Sequence, residues 1–112
     1  MRVSIEKRAR VTVATIDGSV DGMTSADLVA ALKEQIKGGN PRLVGDLAGV
    51  DYTSSAGLRA LLETLKDARQ HGGDLRLAAV RPEVLRVLEL SGFTSILQVF
   101  PDVEAAVGSF SQ

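Results

Sequence analysis

Short apolar segments alternate with amphipathic segments of helical period along the chain, and this alternation constrains the fold more than any other feature. The clearest amphipathic segment has apolar residues at helical spacing on one face, namely Leu58, Leu61, Leu62, Leu65 and Ala68. Strands that alternate with helices favour a mostly parallel sheet joined by right-handed crossovers. The sequence therefore predicts an α/β fold.

The first two apolar segments are different, because no helical pattern separates them. Residues 3–5 and 11–16 have a near-alternating pattern, and the intervening residues 6–10 are mostly charged. We expect a β-hairpin that adds an antiparallel edge to the sheet, which makes the sheet mixed. The predicted order is β-β-α-β-α-β-α-β-α. The helices should lie mainly on one face of the sheet. The reason is that the first strands alternate apolar and polar residues, as strands do when one face of the sheet is exposed to solvent.

N-cap and turn residues predict where the remaining helices and strands begin and end. Thr24-Ser25-Ala26-Asp27 fits a capping box. In this motif the Thr24 side chain accepts a hydrogen bond from an amide of the helix, and the Asp27 side chain accepts one from the Thr24 amide. This predicts a first helix that ends at residues 38–41. Further strands are expected at residues 43–47, 75–80 and 96–100. Further helices are expected to begin near residues 53, 82 and 101.

The length and charge of the chain limit the classes of protein to which it can belong. The chain has 112 residues, which corresponds to one domain over residues 1–112. Apolar residues make up 45% and charged residues 24%, as in ordinary globular chains. The 13 basic and 14 acidic residues give a net charge of −1, so we expect no direct nucleic-acid binding. No apolar run reaches membrane-spanning length and no signal core follows Met1, so we expect a cytoplasmic protein.

The residue inventory argues against an enzyme. The chain contains no cysteine and a single histidine, His71, which we expect to interact with the dipole at the end of a helix. Without cysteine the chain cannot form disulfides or thiolate zinc sites. With a single histidine it has almost no residues for Ser-His catalysis. The sequence contains no glycine-rich nucleotide fingerprint and no nucleophile elbow. We therefore expect no catalysis, no metal and no cofactor.

A cluster of small and hydroxyl residues at 53–58 precedes the second predicted helix and has two interpretations. Serine and threonine are favoured N-caps, so the cluster can be purely structural. Alternatively, an exposed hydroxyl at a helix N-terminus is a position that tolerates a phosphate, because free N–H groups and the positive end of the helix dipole favour negative charge.

The stretch from Asp46 to Arg59 reads Asp-Leu-Ala-Gly-Val-Asp-Tyr-Thr-Ser-Ser-Ala-Gly-Leu-Arg. It resembles the signature of bacterial anti-sigma factor antagonists, which are STAS-domain proteins. Gly-Ser-Val-Asp at 18–21, followed by Thr24 and Ser25, is similar to a second recurrent element of that family. Gly-Gly-Asp-Leu at 72–75 and Ser-Gly-Phe at 91–93 also match. Together these pieces cover essentially the whole chain.

The resemblance implies a small STAS domain with a four- or five-stranded sheet and a transcription regulator that switches partners. The unphosphorylated protein would bind an anti-sigma factor of the serine-kinase type and free a sigma factor. The kinase would supply ATP and magnesium and phosphorylate the antagonist, and a serine phosphatase would restore it. Ser55 is the implied acceptor, and Ser54 occupies the position usually held by aspartate.

The resemblance also implies a set of partner-binding residues around the acceptor. These residues are Asp21, Thr24, Thr53, Ser54, Ser55, Ala56, Gly57 and Leu58. Gly57 would let the partner or its nucleotide phosphates approach closely, and Leu58 would anchor the helix to the core. For Asp21 and Thr24, roles in a turn and a cap are at least equal alternatives to partner contact.

Two other functions stay open from the sequence. The same fold could act as a structural subunit of a transporter or of a multi-protein sensor complex, without a phosphorylation switch. A small enzyme with an activated serine is disfavoured, because no general base lies within the motifs.

Overall fold

The structure, a computed structural model, describes residues 1–111, which form a five-stranded sheet flanked by helices. The strands are β1 (Arg2–Arg8), β2 (Val11–Asp17), β3 (Arg42–Gly49), β4 (Asp74–Ala78) and β5 (Val99–Phe100). The helices are α1 (Ser25–Lys37), α2 (Ser55–Gln70), α3 (Pro82–Leu90) and α4 (Val103–Ser109), with a 3₁₀ turn at Phe93–Ser95. The predicted order of strands and α-helices is confirmed.

The strands lie side by side in the order β1-β2-β3-β4-β5. Only the β1–β2 pair is antiparallel, and the other three pairs are parallel. The predicted mixed sheet with an antiparallel edge is therefore confirmed. Because β2 and β3 are parallel neighbours, the loops that follow them emerge at the same edge of the sheet, and these loops lead into α1 and α2.

One face of the sheet carries the larger core, to which α1, α2 and α3 contribute. This core includes Ala14, Ile16, Leu28, Leu32, Leu43, Leu61, Leu65, Leu77 and Leu88. Gly45 of β3 makes room for it, because a Cβ atom there would lie 3.1 Å from Leu77 Cδ2. Such close packing is typical of a glycine within a buried strand.

The opposite face carries a smaller apolar cluster that is covered by α4. Val11, Val13, Val44 and Ala78 of the strands pack there with Ala106 of α4. The expectation that helices lie mainly on one face therefore holds for α1, α2 and α3. Since β2, β3 and β4 present apolar residues on both faces, the second face also needs a cover, which α4 provides.

Two predicted strands are shorter than expected. The last one spans only Val99–Phe100, because the amides of Ile96 and Leu97 donate to the Phe93 carbonyl and form a turn. Strand β4 ends at Ala78, and the next residue, Ala79, has a φ of 55° that is incompatible with a continuing strand. Within residues 1–111, no helix combines the length and apolarity that crossing a membrane requires.

The hairpin turn between β1 and β2 holds Ala9 at a φ of 59°. This left-handed conformation costs a residue with a Cβ about 1–2 kcal/mol, whereas glycine adopts it freely. Ala9→Gly should therefore raise the free energy of unfolding by up to about 1 kcal/mol, because the greater freedom of glycine in the unfolded chain offsets part of the gain. Urea denaturation measures the change.

The matched control is Ala30→Gly at an exposed position within α1. This change should lower the free energy of unfolding by about 1 kcal/mol, since a helix interior disfavours glycine. If both variants lose the same stability, the hairpin turn does not strain Ala9.

Candidate functional site

The loops that precede α1 and α2 are joined at the carboxyl ends of β2 and β3. Val20 and Thr53 form an isolated parallel bridge. The Val20 amide donates to the Tyr52 carbonyl at 3.0 Å, and the Ser54 amide donates to the Val20 carbonyl at 2.9 Å. The loop at residues 18–24 and the start of α2 therefore form one continuous surface.

The two serines at the start of α2 have different environments. Ser54 is the N-cap: its backbone is extended and its Oγ accepts from the Gly57 amide at 3.4 Å. Ser55 is the first residue of the helix and is exposed. Of these two hydroxyls, the one on Ser54 is engaged by the helix and partly buried, whereas the one on Ser55 is open to solvent.

Thr53 and Gly57 are buried beneath this surface. The side chain of Thr53 is only 8% exposed, and its Oγ1 donates to the Ser54 carbonyl at 3.3 Å. A Cβ atom on Gly57 would lie 2.3 Å from Thr53 Oγ1 and 2.6 Å from the Val20 carbonyl oxygen. Glycine is thus required by packing within the chain. In the free chain both residues lie beneath the surface and pack against the chain itself. Their expected roles toward a partner stay predictions.

Ala56 and Leu58, which flank Gly57 on α2, also differ in exposure. Leu58 is 9% exposed and belongs to the larger core cluster, so it ties the first turn of the helix to the sheet. Ala56 is partly exposed and lies in a groove between α1 and α2. Of the two, Ala56 is the more exposed.

Asp21 and Thr24 hold the turn before α1. Asp21 Oδ1 accepts from the amides of Met23 and Thr24 at 2.9 and 3.2 Å. Thr24 Oγ1 accepts from the Asp21 amide and lies 3.0 Å from the Ser19 carbonyl, to which it can donate. The capping-box prediction is wrong, because the Thr24 hydroxyl faces back into the loop and makes no cap bond to α1.

The joined loops also carry two large exposed side chains, and a groove lies between α1 and α2. Met23 and Tyr52 are large apolar residues with exposures of 88% and 54%. The groove between α1 and α2 is lined by Ser25, Ala26, Val29, Ala30, Ala56, Arg59, Ala60 and Glu63. Sequence reasoning missed the two apolar residues, because their pattern does not distinguish an exposed loop residue from a buried one.

Potential metal-ligating side chains are dispersed over the described residues, and the histidine lies far from Ser55. Residues 1–111 hold no group of three potential metal-ligating acidic, histidine or cysteine side chains. His71 is the C-cap of α2, at the opposite end of the helix from Ser55, and its Nδ1 lies 2.8 Å from the Asp67 carbonyl. The arrangement offers an exposed serine at the start of α2, next to a loop that is hydrogen-bonded to it.

Known proteins resemble this chain over almost its full length. Residues 2–106 match the model of the STAS domain family. BtrV of Bordetella bronchiseptica, whose name describes it provisionally as an anti-sigma factor antagonist, is 39% identical over 110 residues. The alignment covers 98% of this chain and 95% of BtrV.

Solved structures share the same architecture. An anti-sigma factor antagonist from Mycobacterium paratuberculosis superposes with a TM-score of 0.89 at 23% identity, covering 99% of this chain and 94% of the other. SpoIIAA, a Bacillus cell fate determinant solved in its phosphorylated form, superposes with a TM-score of 0.76 at 17% identity, covering 97% and 99%. The five-stranded sheet and its helices are thus an established fold.

Proposed function

Since the chain belongs to the STAS domain family and, within it, to the anti-sigma factor antagonists, we propose that phosphorylation of Ser55 controls its choice of partner. In the unphosphorylated state it binds an anti-sigma factor that is a serine kinase, in the cytoplasm, and thereby frees a sigma factor. Phosphorylation ends this interaction. The chain itself makes no contact with nucleic acid.

The chemistry of the switch needs only a hydroxyl from this chain. The γ-phosphorus of kinase-bound ATP forms a bond to Ser55 Oγ, and its bond to the β,γ-bridging oxygen breaks, so ADP leaves. A base on the kinase takes the hydroxyl proton, and the kinase also holds the magnesium. A serine phosphatase later adds water across the ester, which restores the hydroxyl and releases inorganic phosphate.

The observation that carries this proposal is the contrast between Ser55 and its neighbours. Ser55 is exposed at the first position of α2, while Ser54 is occupied as the cap and Thr53 is buried. The free amides and positive dipole end of α2 favour a negative charge at this position. SpoIIAA, which shares the fold, has been solved in a phosphorylated form, so a domain of this architecture can carry a phosphate.

The partner surface proposed here is smaller than the sequence implied. It consists of Ser55, the exposed part of Ala56, the loop that Asp21 and Thr24 shape, and the exposed Tyr52 on the other loop. Ser54, Thr53, Gly57 and Leu58 contribute by holding the start of α2 in place. An anti-sigma factor would then contact both joined loops as one preformed unit, which limits the ordering cost of binding.

The direct test is incubation with an anti-sigma factor kinase from the same organism, in the presence of magnesium and ATP. Peptide mapping by mass spectrometry should find one phosphate, on Ser55. A phosphate on Ser54, Thr53 or Ser91 would overturn the assignment of the acceptor. A stable complex with no phosphorylation at all would favour the structural-subunit function instead.

Alanine substitution of the two serines should separate cap from acceptor. Ser54→Ala should lower the free energy of unfolding by about 1 kcal/mol, the usual contribution of an N-cap, and should leave phosphorylation intact. Ser55→Ala should stay within about 1 kcal/mol of the native stability, bind the anti-sigma factor and resist phosphorylation. Circular dichroism during thermal unfolding and a phosphate assay measure the two effects. Unfolding of Ser55→Ala would mean that its hydroxyl is structural.

A further inference from the structure

Arg59 lies one helical turn after Ser55 on the same face of α2. Side chains four residues apart on a helix are neighbours, with Cβ atoms about 5–6 Å apart. Long helical side chains lean toward the N-terminus, so Arg59 extends over the turn that contains Ser55. Both residues are exposed, and the guanidinium can therefore reach a group attached to the Ser55 hydroxyl.

Arg59 is also free to accept such a partner. Among residues 1–111 it forms no salt bridge. Its possible acidic partner one turn further along α2 is Glu63, whose Oε2 lies 3.4 Å from Lys33 Nζ of α1. The cation nearest to Ser55 along the helix is thus uncommitted, while the next acidic residue is already paired.

We propose that Arg59 is the internal counterion of the phosphate on Ser55, a role that rests on the proposed function. A phosphoserine carries about −1.5 to −2 charges at pH 7 and presents three acceptor oxygens. The planar guanidinium can donate two parallel hydrogen bonds to such a group. Arg59 is then a positioning residue, which draws the phosphate along α2 and favours its dianionic form.

The other charged groups around this end of α2 oppose the dianion. Asp21 and Asp51 lie on the two joined loops and Asp27 lies in the first turn of α1, while Lys33 and Glu63 offset each other. Carboxylates raise the second pKa of a nearby phosphate, because like charges disfavour the dianion. A cation has the opposite effect, so removal of Arg59 should raise that pKa.

The test uses protein with phosphoserine incorporated at position 55 during translation, so that no kinase is needed. The phosphate is titrated by ³¹P NMR through its second pKa, which is about 6 in free phosphoserine. Arg59→Gln should raise this pKa by about 0.3–0.7. Arg59→Lys should raise it by less, because lysine keeps the charge but loses the planar fork.

Lys66→Gln is the matched control, because it removes an exposed cation from the same helix. Position 66 is about 16 Å along the helix from Ser55, which exceeds the Debye length of about 10 Å at 0.1 M salt. Lys66→Gln should therefore leave the phosphate pKa unchanged. The difference between native protein and Arg59→Gln should also shrink at about 1 M salt.

Equal phosphate pKa values in the native protein and in Arg59→Gln would overturn the assignment of Arg59. That outcome would leave the proposed function intact, since kinase specificity and partner binding are measured separately. Conversely, a chain that no kinase phosphorylates would overturn the proposed function, and the titration would still report whether Arg59 pairs with a phosphate at position 55.

Discussion

Replacement of Ser55 by glutamate should weaken binding to the anti-sigma factor roughly ten- to a thousand-fold, while the thermal unfolding of the chain changes little. In the free chain, a charge at the first position of α2 is solvated and gains a few tenths to about 1 kcal/mol from the helix dipole. In the complex, the same charge loses its water against a surface that meets a neutral hydroxyl. Burial of an unpaired charge costs several kcal/mol, and each 1.4 kcal/mol is a factor of ten in affinity.

Titration calorimetry against the anti-sigma factor measures this loss. Ser55→Gln is the matched control, because glutamine has nearly the shape of glutamate without its charge, and it should retain most of the affinity. Enzymatically phosphorylated protein should bind more weakly than Ser55→Glu, since the phosphate carries more charge. If all four proteins bind alike, Ser55 lies outside the interface and the proposed switch does not exist.

Gly57→Ala should lower the free energy of unfolding by about 2–3 kcal/mol, even though alanine is the better helix former. The added Cβ would overlap Thr53 Oγ1 and the Val20 carbonyl oxygen, which are 2.3 and 2.6 Å from its ideal position. The backbone oxygen cannot rotate away, so α2 must move from the loop that carries Val20. Chemical denaturation measures the loss, and the joined loops should separate with it.

Gly108→Ala supplies the control for this second effect. Gly108 lies within α4, and no atom comes within 4 Å of the position where its Cβ would be. The same substitution should therefore raise the free energy of unfolding by up to about 1 kcal/mol, from helix propensity alone. If Gly57→Ala raises the free energy of unfolding as much as Gly108→Ala does, α2 can shift at no cost.

The order of strands and helices followed from the sequence because each element carries its own periodicity. The stripe from Leu58 to Ala68 could form only a helix packed on one face, and the alternation before Asp17 suited an edge hairpin. The N-cap region at residues 53–55 was also recognisable, since serine and threonine before an apolar stripe are typical of a helix start. The type of each element and the start of α2 therefore depend on residues that are close together in the sequence.

The features that the sequence did not reveal depend on contacts between distant parts of the chain. Thr24 was predicted to cap α1 because its spacing to Asp27 is correct, but the Ser19 carbonyl and Asp21 engage its hydroxyl instead. Gly57 was predicted to let a partner approach closely. The position of the Val20 carbonyl shows that packing within the chain already leaves no room for a side chain there. Likewise, the cover that α4 gives the second face became visible only once the strands were aligned.

The two joined loops contain two kinds of residue. Val20 and Thr53, which form the bridge, hold the loops together, whereas other residues are exposed and can contact a partner. The bridging residues are buried, whereas Met23 and Tyr52 are 88% and 54% exposed on the same two loops. After gene duplication, copies of such a chain can exchange the exposed pair for other side chains without disturbing the scaffold beneath. Under the proposed function, parallel signalling routes in one cell would thus become insulated from each other while every copy keeps the same hydroxyl and the same helix start.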